Sequence, residues 1–317
     1  MDRRDFLKYC SLVPFVFVPK FKFDVNFNNK KEQYFGWIPG NRSQKDRLYN
    51  LGNLKGFGAD KVSCLWKPWE QVNNHAWIPH FQFWGDCVAH GTGTSIDLLT
   101  CILILIRKKR IKYITDSSTD AIYSGGRNLI AKRTPSAGMM GEWAVKYLKE
   151  YGNLLRKPYP PYDLTPYSEE TVKHWDKNGL PDSLLVEAKK HPLLDYALVK
   201  SWEEVRDAVS GGNPVVFCAS LGADDDQRDE DGFIKPKGRW AHCWCIAGVQ
   251  DGKRPGALLI NSHGPLFGKG PKTYGQPDGS VWIDAEHIDY HVKKYEDSFA
   301  LSNYKGFDKP DRDYIIW

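Results

Sequence analysis

One stretch limits the fold of this chain more than any other. Gln82-Phe83-Trp84-Gly85-Asp86-Cys87-Val88-Ala89-His90-Gly91 runs directly into a long apolar segment ending Leu98-Leu99-Thr100-Cys101-Ile102-Leu103-Ile104-Leu105-Ile106. The segment reads as a buried helix with Cys87 at its entry and Asp86 as its N-cap. A helix N-terminus carries unpaired N–H groups and a partial positive charge, which favour thiolate. The Cys87 thiol is therefore expected to titrate below the ordinary range and to act as a nucleophile at neutral pH. A cysteine in such a place is also an ordinary small buried residue. What decides between the two readings is the later half of the chain.

At 317 residues, with 41% apolar and 26% charged side chains, the chain can bury a large core and falls outside the disordered class. A net charge of +5 is mild, and no basic-aromatic motif accompanies it, so nucleic acid is not an expected partner. The basic run Arg107-Lys108-Lys109-Arg110 reads as the solvated C-terminal end of the apolar helix. The cysteine count is seven, an odd number at spacings that form no framework, which points to folding in a reducing compartment.

The N-terminus, Met1-Asp2-Arg3-Arg4-Asp5-Phe6-Leu7-Lys8, resembles a twin-arginine export signal. The apolar stretch Tyr9 to Val18 is too short for a bilayer span of about 20 residues. Residues 1–23 are thus a signal or an N-terminal arm: exported or cell-envelope in the first case, cytoplasmic in the second. Residues 24–60 read as a polar extension, and Cys64 to His80, rich in Trp and Pro, as extended chain. Helices are expected at Ser117–Ile130, Glu142–Tyr151 (ended by Gly152), Trp175–Lys190 and Trp202–Val209. Strands are expected at Val215–Ala219, Trp240–Val249, Ala257–Asn261 and Val281–Ile283. The predicted fold class is α+β, with a helical lobe over about 80–195 and a β-rich lobe over about 196–305. The acidic loop Asp224 to Gly232 lacks the ligand spacing of a calcium hand and reads as solvated.

The β half carries what a nucleophilic cysteine needs. His242 lies near the start of one strand, where alternation puts it on one face with Trp244 and Ile246, and Cys243 and Cys245 on the other. That alternation argues against a zinc site from His242, Cys243 and Cys245, and no metal or cofactor is called for. Asn261 ends the next strand, beside Ser262-His263-Gly264-Pro265. A thiolate, an imidazole, an amide to orient it and an oxyanion donor make a cysteine peptidase. Cys87, His242, Asn261 and Gln82 are those residue types.

Together these blocks resemble the papain superfamily of cysteine peptidases from about Trp77 to Trp282, in the order Cys, His, Asn. The separation of 155 residues between Cys87 and His242 is near the family's range of about 130–150. The resemblance implies a two-lobed papain-like fold and a Cys87–His242–Asn261 triad with Gln82 in the oxyanion hole. It also implies a substrate cleft walled by Gly138 and Gly141 near Trp84 and a polypeptide or peptide-like substrate cleaved through a thioester. Five departures are visible, one of them His90 at a position that is usually aromatic. Gln82 stands five residues before Cys87 instead of six, and Trp84 takes the place of a disulfide cysteine. His263 replaces a shielding tryptophan, which leaves the His242–Asn261 pair expected to be more exposed. Residues 20–60 contain no inhibitory propeptide helix, so self-processing is not expected. Two other functions fit the same residues: an inactive papain-like binding or structural protein, and a cell-wall amide hydrolase. No sequence feature sets an oligomeric state.

Overall fold

The computed structural model describes residues 33–39, 51–132 and 137–309. The twin-arginine-like segment, much of the 24–60 extension and part of the Thr134–Gly141 turn lie outside them.

The core element is helix α2, Cys87–Leu105, following β1 (Gln33–Tyr34), β2 (Val62–Cys64) and α1 (Trp66–Asn73). It is buried from Cys87 through Leu103, as its apolar run requires. It is long and apolar enough to cross a bilayer, but it is packed inside this fold. Four helices surround it or follow it: α3 (Thr119–Gly125), α4 (Gly141–Glu150), α5 (Glu169–Asn178) and α6 (Asp182–Ala188). A π turn, Gly126–Ile130, continues α3. Ser118 and Ser168 cap α3 and α5 by accepting the N–H groups of Ala121 and Thr171. Gly152, at φ +89°, ends the α4 segment where expected.

One sheet, antiparallel except where β1 joins it, dominates the remainder. After the short β3 (Ile111–Lys112), β4 (Pro158–Tyr159) and β5 (Tyr162–Asp163), which lie outside it, its strands are β6 (Leu193–Leu198), β7 (Val215–Ser220), β8 (Trp240–Gln250), β9 (Gly256–Ile260), β10 (Ser280–Asp284) and β11 (Ser298–Tyr304). They are ordered β10-β9-β8-β7-β11-β6, with β1 and β2 also paired to β8. Helices α7 (Trp202–Ser210) and α8 (Ala285–Tyr295) pack on one face of this sheet and α2 on the other. Covered on both faces, β8 is buried from Trp240 to Val249. The fold is α+β, as expected from the sequence.

Two expectations need correcting. Cys64 to His80 is not wholly extended: Trp66 and Trp69, three apart, bury one face of α1. Pro68 sits in its first turn, where no intrahelical N–H bond is lost. Trp175–Lys190 is two helices, divided at Gly179 and Pro181. Strands β6 and β11 and helix α8 add to the predicted elements.

Candidate active site

Cys87 opens α2 and is fully buried. Gly91, one turn further along the same helix face, meets β8: a Cβ there would stand 2.9 Å from Cys243 Sγ. Only a glycine lets α2 approach the strand so closely, and that approach brings the start of α2 to the start of β8. The backbone amides of Cys243 and Val88 favour the Cys87 thiolate, but more weakly than burial opposes it. Asp86 holds the N-cap position without capping, a departure from expectation. Its carboxylate accepts the Tyr167 hydroxyl at 2.8 Å instead, and His90 Nε2 lies 3.5 Å away.

One residue before Cys243 on β8, the His242 Nε2 and Asn261 Oδ1 atoms are 2.8 Å apart. Asn261 is fixed in turn, because its Oδ1 also accepts the Ser262 N–H at 2.8 Å. An amide oxygen can only accept, so Nε2 carries the proton and Nδ1 is left as a free base. Nδ1 is buried with no hydrogen-bond partner. The pair is not exposed as expected, for His242 is 0% and Asn261 3% accessible. The His263 ring lies 5.0 Å from that of His242, at 33°, and provides the cover that a larger ring would give.

Residues 33–39 close the site from above. β1 runs parallel to the first residues of β8, and Phe35 N–H donates to the Ala241 carbonyl at 3.1 Å. The Phe35 ring packs edge-on against His242, with centroids 5.1 Å apart, and against His263 at 4.7 Å. Gly36 has φ +120°, and a Cβ there would stand 2.0 Å from the Gly85 carbonyl oxygen. Beyond it the chain docks on Met139: Met139 N–H donates to Gly36 O at 2.7 Å and Ile38 N–H to Met139 O at 3.0 Å. Trp37 is wholly buried.

Gln82 sits beneath this strap. Its Nε2 donates to Phe35 O at 2.9 Å and to Trp84 O at 2.8 Å, and its Oε1 accepts the Ser262 hydroxyl at 2.6 Å. Both amide hydrogens are thus engaged while the strap is in place. Gly138 and Gly141 flank Met139. Gly138 N–H donates to the Tyr123 hydroxyl at 2.9 Å, and its carbonyl accepts from Arg127 on the π turn. Gly141 begins α4 and donates its N–H to Asp297 at 2.9 Å. Trp84 is half-buried, with the Lys173 ammonium 4.5 Å from its ring centre. The sequence reading missed Phe35, Trp37, Met139 and Asp297. The one available signal was the apolar cluster Tyr34-Phe35-Gly36-Trp37-Ile38-Pro39 inside a polar stretch.

The electrostatics reverse one expectation. Burial, with Cys218 and Asp86 nearby, pushes the Cys87 thiol well above its usual range. Burial, then His263, holds His242 well below its own. Both groups are neutral in this closed arrangement, and no hydrogen bond joins them. His263, also buried, is held at about 4, and His291 at about 4. An unfolded histidine titrates near 6.5, so these contributions to stability are intact above about pH 6.5 and are lost toward pH 4. Each buried neutral histidine should add about 1.4 kcal/mol per pH unit to that loss. Urea midpoints between pH 7 and 5 should show it, and His263→Phe should flatten the slope by one histidine's share. An unchanged slope would contradict the burial of a neutral ring there.

No family model matches this sequence, and no curated protein sequence does. Solved structures do. Over 88% of this chain and 99% of the other, the fold is similar to xylellain, a cysteine protease from Xylella fastidiosa, with TM-score 0.60 and 17% identity. A procathepsin B from Trypanosoma congolense aligns over 86% of this chain and 85% of its own, with TM-score 0.52 and 13% identity. The fold is that of the papain-like cysteine proteases.

Proposed function

We propose that this chain is a cysteine peptidase that its own residues 33–39 keep closed. The observation that carries the reading is the position of Phe35: its carbonyl is held by Gln82 Nε2 and its ring lies on His242. A stretch of backbone thus occupies the place a scissile peptide would need, with an amide donor on its carbonyl oxygen. Once the strap leaves, the Gln82 hydrogen now on Phe35 is free for a substrate oxygen. Its second hydrogen, on Trp84 O, keeps the amide aimed. The five-residue spacing from Gln82 to Cys87 is compatible with that role.

In the proposed reaction, His242 Nδ1 takes the Cys87 thiol proton as the sulfur attacks the substrate carbonyl. The oxyanion gathers against Gln82, and the imidazolium then gives its proton to the leaving amine. Water, deprotonated by the same imidazole, releases the acyl group from the thioester. Asn261 keeps Nε2 protonated and Nδ1 basic throughout. Gly138 and Gly141 fix the cleft wall through Met139, and Trp84 contributes through the carbonyl that aims Gln82. Asn261→Ala should lower kcat about tenfold, the worth of one buried neutral hydrogen bond. Steady-state hydrolysis of a peptide substrate measures it, and an unchanged kcat would contradict the orienting role.

A second reading has one observation in its favour. The neutral thiol and imidazole, unbonded to each other, would suit an inactive binding protein. Labelling of Cys87 by a peptidyl electrophile separates the two, since an inactive fold gives no adduct even when opened.

A further inference from the structure

We infer that His90 is the counter-ion of Asp86, and that this pair governs how readily the Cys87 thiol ionises by cancelling a carboxylate beside it. What that means for catalysis rests on the peptidase reading above; the pairing itself does not. Asp86 immediately precedes Cys87 and is 0% accessible. A carboxylate so deeply buried needs several donors or an opposite charge. Its side chain accepts one hydrogen bond, from the Tyr167 hydroxyl to Oδ2 at 2.8 Å, and Oδ1 has no hydrogen-bond partner. His90 lies one turn further along α2, with Nε2 3.5 Å from Asp86 Oδ2. Its ring is 2% accessible, and neither nitrogen makes a hydrogen bond. Two buried polar groups, each short of partners, thus face each other at ion-pair distance. A proton on Nε2 satisfies both, since the imidazolium gains an anion and the carboxylate a cation.

The groups packed around the ring do not compete for either role. Tyr167 stands edge-on to His90 at 5.2 Å, and its hydroxyl is already given to Asp86. Arg156, 5.4 Å from the Tyr167 ring centre, is bonded to Asp120 at 2.9 Å. The His80 ring is 6.0 Å from that of His90, and its own Nε2 lies 3.2 Å from Asp116. His242 and His263 are held below the ordinary histidine range, by burial first and by neighbours that include His90 after it, so they bring Asp86 no positive charge. Among the described residues, His90 is the one basic side chain within ion-pair distance of Asp86.

The consequence falls on Cys87. Asp86 is one of the groups that push its thiol up, after burial and Cys218. In the proposed reaction negative charge gathers on the sulfur and then on the oxyanion, and a bare carboxylate one residue away opposes both. An imidazolium against that carboxylate leaves the pair close to neutral and removes most of the opposition. When His90 loses its proton, the carboxylate acts alone. His90 acts through Asp86 and is a positioning residue.

The test uses the full chain carrying Trp37→Ala, which removes the buried anchor of the strap, and follows alkylation of Cys87 by iodoacetamide as a function of pH. The reagent captures the thiolate, so the profile reports the titration of Cys87 whether or not the chain cleaves peptides. His90→Phe should move that profile upward by about one pH unit, a roughly tenfold slower reaction on its rising limb. Adding Asp86→Asn to His90→Phe should move it back, because no charge is then left to cancel. A merely structural loss would not be repaired by removing a second side chain. Superimposed profiles with and without His90→Phe, or no recovery in the double variant, would overturn the pairing. Should the opened chain or His90→Phe not fold, histidine-ring NMR of the parent chain gives an independent reading. There Asp86→Asn should lower the midpoint of the His90 ring by about one pH unit, and an unmoved midpoint would overturn the pairing. The expected profiles with no peptide hydrolysis in any variant would uphold the pair and overturn the peptidase reading alone.

Discussion

Gly36→Ala should open the cleft and raise the rate at which Cys87 reacts with a peptidyl electrophile by roughly 5- to 150-fold. Backbone strain sets the size of that effect. Gly36 has φ +120°, a region that L residues adopt at a cost of about 1–3 kcal/mol, and its Cβ would lie 2.0 Å from Gly85 O. In the open form neither constraint applies, so the penalty falls on the closed state and shifts the population toward the open one by that factor. Sterics between two backbones cannot be relieved by a rotamer change, which is why one methyl group has so large an effect. Folding stability should fall by no more than that strain, because the helices and the long strands stay in place and only β1 and the buried Trp37 are released. A labelling rate equal to the parent's would mean that the strap does not control access.

Cys87→Ser in that opened background should abolish hydrolysis by at least about 10³-fold, and His242→Ala should cost about 10²–10⁴-fold. The two losses should not add, since nucleophile and base act as a unit. Opening also acts on the titration of both groups. The burial that pushes the thiol up and the imidazole down is lessened when solvent enters, and each moves back toward its ordinary range. On the proposed reading, exclusion of water as well as occupancy holds the closed site inactive.

Local signals made half of this site visible in the sequence. The apolar run after Cys87 leaves no alternative to a buried helix, and strand alternation put His242 and Cys243 on opposite faces, as β8 has them. Asn261 was visible as the residue ending the next strand, and it lies next to His242 because β8 and β9 pair antiparallel. The Phe35–Trp37 strap was not legible as part of the site, because its place depends on bonds to Ala241 and Met139, far away in the chain. Asp297 has no local mark either; only the fold brings it beneath α4. The thiol expectation went wrong on magnitude. A helix N-terminus contributes about 0.3–1 kcal/mol, whereas complete burial shifts a titration by several pH units. The first was readable at Cys87; the second needed the fold.

Trapping the acyl group shows directly whether Cys87 is the nucleophile. The Gly36→Ala chain is mixed with excess activated peptide ester, quenched in acid within the first turnover and digested for mass mapping. One acyl group per chain is expected, as a thioester on Cys87, absent from the Cys87→Ser variant. Ester hydrolysis at an undiminished rate in Cys87→Ser, or an acyl group on any other residue, would contradict it.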